Sequence, residues 1–167
     1  MDRLRAAWFV WAMVSLTYVA MWCWAALRLP DPVPSHFDGS GQIDDWMSKP
    51  GMLAMWAAVG AGVFVGLPAL CHWATAGKGT FVNVPHKDYW FAPERKADFR
   101  RAFLADMLVM SALTGMVLMA LLALTTLVAT LGRDGAPGWI FWLIIGAYLI
   151  AMGAWTIGLL RRYRPPA

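Results

Sequence analysis

Four residues between positions 36 and 45 have side chains that can bind a metal or move a proton. His36 offers an imidazole nitrogen, and Asp38, Asp44 and Asp45 offer carboxylates, which are ligand types that divalent cations take in proteins. Their spacing matches no strong motif, because a calcium loop counted from Asp38 has Ile43 where glycine is required. We therefore expect no metal and no other cofactor. His36, Asp38 and Asp44 are the candidate ligands if a metal does bind, but we favour structural bonds to backbone amides.

Outside this segment, few residues are arranged for catalysis. Ser35 precedes His36, but adjacency in sequence does not establish the geometry of a nucleophile and its base. Asp106 is the only acidic residue within the four predicted transmembrane helices, and His72 is expected at a similar depth. A carboxylate at membrane depth is a candidate for proton transfer. The alternatives are that Asp106 faces water near a helix start, interacts with the helix dipole or pairs with His72. We expect binding rather than catalysis.

The elements that position these residues are four uncharged apolar runs. The chain is 60% hydrophobic and 14% charged, whereas a soluble domain has about 45–50% and about 25%. Each run exceeds the roughly 20 residues that cross a bilayer. The first run is too long for the apolar part of a cleaved signal peptide and is expected to be a signal anchor. We predict an all-α integral membrane protein, a bundle of four transmembrane helices at residues 6–27, 52–76, 103–131 and 139–160.

The basic residues predict the topology of this bundle. Eleven fall in segments on the side of the N-terminus, and only Arg28, Lys49 and Arg133 fall on the opposite side. By the positive-inside rule both termini are then cytoplasmic, and the loop between the first two helices is extracytoplasmic. This distribution is explained by topology and anionic lipids, so membrane lipids and not nucleic acids are the expected partners. The eleven residues are Arg3, Arg5, Lys78, Lys87, Arg95, Lys96, Arg100, Arg101, Arg161, Arg162 and Arg164.

The chain divides into three parts: residues 1–76 with two helices and their loop, a cytoplasmic basic-aromatic loop at 77–102, and a hairpin of two helices with a basic tail at 103–167. Prolines and glycines give the outer loop a stiff, shaped backbone. The aromatic residues near Tyr89 and Trp90 indicate an anchor in the headgroup zone, with a ligand site as the alternative.

The second helix carries a stripe of small residues, in which Ala54, Ala58, Gly62 and Gly66 recur at every fourth position. Small residues allow the close helix approach that stabilises contacts in lipid. We predict that this stripe packs within the chain, with homodimerisation as the alternative. Pro68 is expected to kink the helix or to be accommodated by its neighbours.

The outer loop resembles a known domain, the domain of unknown function 1648, which opens the bacterial SdpI family of membrane immunity proteins. The resemblance covers residues 2–76, and residues 83–95 also resemble membrane proteins bearing this domain. It implies a bacterial inner-membrane protein that confers resistance to a peptide toxin and, in some relatives, sequesters a transcriptional repressor. The matching loop residues are Leu29, Pro30, Val33, Pro34, His36, Phe37, Gly41, Asp44, Trp46 and Lys49, and those of the inner loop are Asn83, Pro85, Lys87, Tyr89, Trp90, Pro93, Glu94 and Arg95.

We therefore expect a small multi-pass membrane protein that acts by binding a membrane or peptide partner, in an immunity, signalling or accessory role. One alternative is a subunit of a homo- or hetero-oligomeric membrane complex. The other is a small metal-dependent enzyme or transporter that uses His36 with Asp44, or Asp106 with His72.

Overall fold

Four long helices and one small β-hairpin make up the computed structural model, which describes residues 2–164. Met1 and the last three residues of the predicted basic tail lie outside the described residues. The elements are α1 (Arg3–Arg28), β1 (Val33–Phe37), β2 (Ile43–Met47), α2 (Lys49–Ala61), a π-helical turn (Gly62–Gly66), α3 (Leu67–Ala76), the short α4 (Lys87–Trp90), α5 (Lys96–Thr130) and α6 (Gly138–Arg162).

Four helices are long and apolar enough to cross a membrane. They are α1, the continuous helix from α2 through the π turn to α3, α5 and α6, with mean hydropathies from 1.6 to 2.3. The prediction of four transmembrane helices in a mostly helical protein is therefore confirmed. Helix α6 has no buried residue, and its large apolar side chains face outwards, as expected of a helix in contact with lipid. The helices extend beyond the apolar runs because helical hydrogen bonding continues through polar residues. Helix α5 begins at Lys96, seven residues before the predicted transmembrane segment at 103–131.

Helix α5 is the centre of the bundle, since it contacts α1, the α2–α3 helix and α6. Polar side chains on α1 join α1 to α2: the Tyr18 hydroxyl donates to the Trp56 carbonyl oxygen at 2.6 Å, and the Trp22 indole donates to the Leu53 carbonyl oxygen at 3.0 Å. Between α5 and α6, the hydroxyls of Thr114 and Tyr148 lie 3.1 Å apart. Such bonds between helices replace the hydrophobic drive that is missing in lipid.

The stripe of Ala54, Ala58, Gly62 and Gly66 does not pack within the chain, so that prediction is wrong. All four residues are exposed, and a Cβ atom on Gly62 would meet nothing within 4 Å. The face that packs instead carries Met52, Trp56, Gly60 and Phe64, which are buried. Gly60 is the residue that allows close approach, because a Cβ atom there would overlap the Tyr18 ring.

Pro68 is accommodated by the π-helical turn and by a hydroxyl from α5. In a π turn the carbonyl of Val63 would accept from the residue five positions later, but that residue is Pro68, which has no N–H. The buried Ser111 hydroxyl donates to the Val63 carbonyl oxygen at 2.8 Å. The neighbouring helix therefore supplies the donor that proline lacks, as expected for proline in a transmembrane helix.

The loop between α1 and α2 forms a hairpin, where the sequence predicted a shaped loop without strands. Strands β1 and β2 pair antiparallel, and the hairpin also bonds to the turn between α5 and α6: Ile43 N donates to Asp134 O at 3.0 Å, and Ala136 N donates to Gly41 O at 2.9 Å. We call this end of the bundle the hairpin end, and the end that carries Arg3, residues 77–95 and Tyr163 the terminal end.

Candidate functional site

Most residues of the outer-loop motif hold the hairpin against the bundle. Gly41 has a φ of +92° and leaves no room for a Cβ atom beside Ala136, so only glycine fits there without strain. The ring of Phe37 packs on Phe141 with centroids 5.0 Å apart. Lys49 donates from its ammonium to the Leu29 carbonyl oxygen at 2.8 Å, at the end of α1. Pro34 is buried, whereas Pro30 and Trp46 are exposed.

The structure brings two of the three candidate metal ligands together, His36 and Asp44, and leaves Asp38 apart from them. Asp38 Oδ1 accepts from Ser40 N, Ser40 Oγ and Gln42 N at 2.7–2.9 Å, so this carboxylate shapes its own turn. These donors, the Ser40 hydroxyl first, lower the pKa of Asp38 because they stabilise the charged form. His36 Nδ1 lies 2.5 Å from Asp44 Oδ1 in an exposed pair. Within residues 2–164, no three His, Cys, Asp or Glu side chains are grouped so as to hold a metal.

Ser35 and His36 do not form a nucleophile–base pair. Successive side chains on a strand point to opposite sides, and the Ser35 hydroxyl is buried without a hydrogen-bond partner, whereas the His36 side chain is 65% exposed beside Asp44. Since activation of a serine requires a base within hydrogen-bond reach, this geometry gives no activated nucleophile.

Beneath the hairpin lies a cavity of about 430 Å³ between α2, α5 and α6. Its walls are mainly apolar and include Met55, Trp56, Phe141 and Ile145, together with the polar residues Thr125 and Ser35. Six successive residues at positions 34–39 also line it. Residues 34–37 of this run belong to β1, so the strand forms one wall of the cavity. Strand β1 has β2 as its one strand partner in the described chain, so its second edge is unpaired by any strand.

At the terminal end, a second group of polar residues converges on Asp106. Its carboxylate is 1% exposed and is bound by the guanidinium groups of Arg3 and Arg162, which are 44% and 39% exposed. The Tyr163 hydroxyl donates to Asp106 Oδ2 at 2.8 Å. Burial, followed by the negative charge of Asp106, raises the pKa of Tyr163, so the neutral phenol is the donor.

This arrangement corrects the predictions for Asp106. It is not bonded to His72, which is exposed on α3, and it does not face water. It is also the eleventh residue of α5, roughly 15 Å from the start of the helix, where the helix dipole has little effect. Two cations bind the carboxylate because a buried charge needs an opposite charge and hydrogen bonds to be tolerated.

The inner-loop motif folds over the terminal end and is more than an exposed aromatic patch. The Trp90 indole donates to the Tyr163 carbonyl oxygen at 3.0 Å, and the rings of Phe91 and Phe99 pack with centroids 5.0 Å apart. The Arg95 guanidinium lies 4.0 Å from the centre of the Tyr89 ring, a cation–π contact. Of the remaining motif residues at this end, Lys87 is half-buried. The others are exposed: Asn83, Pro85, Pro93 and Glu94.

Sequence reasoning missed the residues that complete both sites. In the sequence, Arg3 and Arg162 indicate only the topology, although an isolated acidic residue within an apolar segment indicates that a cation must meet it. Tyr163 and Thr125 carried no signal, because a single hydroxyl in an apolar context has no preferred role. The cavity beneath the hairpin depends on the angles between three helices, and the spacing of residues in the sequence does not predict those angles.

Comparison with known families gives one match. Residues 6–60 match the family described as domain of unknown function (DUF1648), a range that covers most of α1, the hairpin and most of α2 and ends before the π turn. Comparison of the chain with curated proteins and with solved structures finds no match to either. The match confirms the resemblance seen in the outer-loop motif: residues 6–60 are similar to the domain of unknown function DUF1648.

Proposed function

We propose that this protein acts by binding an extended apolar peptide segment in the cavity beneath the hairpin. We further propose that it does so in the bacterial inner membrane, with both termini cytoplasmic and the hairpin on the outer side. The observation that carries the binding proposal is that β1, a strand with one unpaired edge, forms one wall of an apolar cavity.

A strand edge binds a peptide by adding a strand. Main-chain N–H and C=O groups supply the hydrogen bonds, and pockets beside the edge take alternate side chains. The walls formed by Met55, Trp56 and Ile145 suit apolar side chains.

The hairpin is well suited to hold such a site open. Its backbone bonds to Asp134 and Ala136 and its Phe37–Phe141 contact join it to the α5–α6 turn. A preformed edge loses less conformational freedom on binding than a loop that must first become ordered. This supports the role implied by the SdpI resemblance, in which a membrane protein protects the cell by binding a peptide toxin.

The test places a photo-crosslinking amino acid, p-benzoylphenylalanine, at Ile145, which lines the cavity. The purified full chain in lipid nanodiscs is irradiated with biotinylated apolar decapeptides. We expect labelling at Ile145 and little at Ile150, an exposed control position on the same helix. Met55→Trp should fill the cavity and reduce the labelling at least several-fold.

A matched peptide set tests the strand edge itself. Decapeptides methylated on alternate backbone nitrogens keep their side chains but cannot donate to β1, so they should not be labelled. Equal labelling of methylated and unmethylated peptides, or of Ile145 and Ile150, contradicts the proposal. In cells, expression of the chain should raise the tolerated concentration of an apolar toxin peptide, and Met55→Trp should abolish that protection.

A second candidate function is that of a subunit in a larger membrane complex. It is favoured by the exposure of Ala54, Ala58, Gly62 and Gly66, because an exposed small-residue face in lipid allows another helix to approach closely. Gly62→Leu should then release the chain from its complex on native gel electrophoresis, while the chain alone stays folded. An intact complex in Gly62→Leu contradicts this role.

A further inference from the structure

We propose that the terminal end holds a second binding site, for a phosphate-bearing ligand, in a cavity between α1, α3 and α5. The cavity has a volume of about 250 Å³. The side chains of Arg100 and Arg101 on α5 and His72 on α3 line it, together with the apolar Leu4 and Leu104. This site lies at the opposite end of the bundle from the peptide cavity and does not depend on it.

The charge in this cavity is unbalanced. The guanidinium groups of Arg100 and Arg101 make no ion pair or side-chain hydrogen bond within the described residues 2–164. In contrast, Arg3 and Arg162 bind Asp106, and the Lys96 ammonium donates to the Ala76 carbonyl oxygen at 3.0 Å. No carboxylate lines the cavity. Two guanidinium groups that line one cavity beside an apolar wall therefore favour an anion, which accepts their hydrogen bonds.

The donors in this cavity fit a phosphate group. Each guanidinium is a planar fork that bonds two oxygens of one phosphate, and the His72 imidazole can add a third donor. A phosphate has enough oxygens to meet both arginines and the imidazole at once, whereas a carboxylate has only two. Leu4 and Leu104 continue the cavity as an apolar surface, which suits the glycerol and upper acyl chain of a phospholipid.

Native mass spectrometry of the delipidated full chain tests this site. The probes are phosphatidylglycerol, phosphatidylcholine and inorganic phosphate. We expect one tightly bound phosphatidylglycerol and weaker retention of phosphatidylcholine. The double variant Arg100→Gln/Arg101→Gln should weaken phosphatidylglycerol binding about tenfold or more, as expected for lost charge-assisted hydrogen bonds.

The matched control is Arg161→Gln/Arg164→Gln, which removes the same charge from exposed positions at the same end outside the cavity. Its binding should stay within about twofold of the unmodified chain, since screened surface charges contribute little. Ala97→Trp blocks the cavity without changing any charge and should also lose the lipid. Melting temperatures of all variants check that each is folded.

Competition by millimolar inorganic phosphate distinguishes the two sources of the ligand. Displacement of phosphatidylglycerol assigns the site to a free phosphate group, and retention assigns it to a lipid headgroup; both outcomes support the site. Equal loss of phosphatidylglycerol in the two double variants, unchanged binding in Ala97→Trp, or equal retention of phosphatidylglycerol and phosphatidylcholine would overturn the proposal.

Discussion

Asp106 joins three segments that are far apart in the sequence. It lies on α5, while Arg3 is the first residue of α1 and Arg162 is the last residue of α6. The carboxylate is buried, so its charge is tolerated only because two guanidinium groups and the Tyr163 hydroxyl meet it. A single side chain therefore ties both ends of the chain to the central helix.

Replacing Asp106 with Asn should destabilise the protein. Removing one partner of a buried ion pair costs about 3–5 kcal/mol, and since Arg3 and Arg162 stay partly exposed we expect the lower part of this range, about 3 kcal/mol. Thermal unfolding in detergent measures the effect. The control is Asp98→Asn, an exposed residue in the first turn of the same helix, which should change the melting temperature little. Equal melting temperatures for both variants would contradict this role of Asp106.

Tyr163→Phe should lower the free energy of unfolding by an amount that depends on pH. Burial and Asp106 raise the pKa of Tyr163 in the folded protein, so the bond requires the neutral phenol. The contribution of this bond to stability is fully present below the pKa of about 10 that tyrosine has in the unfolded chain. It is lost as the pH rises through the pKa of Tyr163 in the folded protein. We expect the variant to be about 1.5–3 kcal/mol less stable than the unmodified chain, as for a bond to a charged group. The difference should be constant from about pH 6 to 9 and narrow above about pH 10. A difference that grows above that pH would contradict this assignment.

At the scale of elements, one face of the second transmembrane helix determines how it packs. Gly60 lies against Tyr18 of α1, whereas Gly62, two residues later, faces outwards with no atom near it. Two glycines in the same helix therefore have different roles, because a shift of two residues turns a side chain by about 200° around a helix.

Alanine substitutions at these two glycines test this packing. Gly60→Ala should lower the free energy of unfolding by about 1–3 kcal/mol, since the added methyl group forces Tyr18 to move. Gly62→Ala should leave the stability of the single chain unchanged. Melting in detergent, with the oligomeric state checked by light scattering, makes the comparison. The packing described for Gly60 is wrong if both variants behave alike.

The pairing of Pro68 with Ser111 can be tested by a double-mutant cycle. Ser111→Ala removes the donor to the Val63 carbonyl. It should lower the free energy of unfolding by about 0.6–1.7 kcal/mol, the range for such bonds between membrane helices. In a Pro68→Ala background the backbone regains an N–H, so the same substitution should cost clearly less. The free energies of unfolding in mixed micelles give the coupling. Strictly additive effects would show that the hydroxyl does not compensate for the proline.

Across the whole molecule, charge is distributed unevenly between the two ends. The terminal end carries eleven basic and five acidic residues, while the hairpin end carries three basic and five acidic residues. The terminal end is therefore positive and the hairpin end is negative. This asymmetry supports the proposed topology, since basic segments are retained on the cytoplasmic side.

Cysteine labelling tests this topology. In a chain whose Cys23 and Cys71 are replaced by alanine, Gly39→Cys places a thiol on the hairpin, where a side chain meets no other atom. A membrane-impermeant maleimide should label it in intact cells. Asn83→Cys, at the terminal end, should be labelled only after lysis. The reverse pattern would invert the orientation and place the peptide cavity in the cytoplasm.

The sequence by itself determined the class of the protein, the four helices and the family resemblance of residues 6–60. These follow from local properties: the length of apolar runs, the uneven charge, and the spacing of residues such as Pro34, Gly41 and Lys49 in the loop. The candidate sites were predicted less well. His36 and Asp44 do meet, but Asp38 turns inward on its own loop, and His72 and Asp106 do not pair.

The tertiary structure alone decided which helix faces meet and which charged groups come together. A repeat of small residues shows that a helix can approach a neighbour closely, but it does not show which neighbour is there; Gly60 packs and Gly62 does not because Tyr18 projects from α1 at that height. Likewise, Arg3, Arg162 and Asp106 are separated by more than fifty residues and meet only because three helices run side by side. Contacts across such distances depend on packing, and packing is a property of the whole chain.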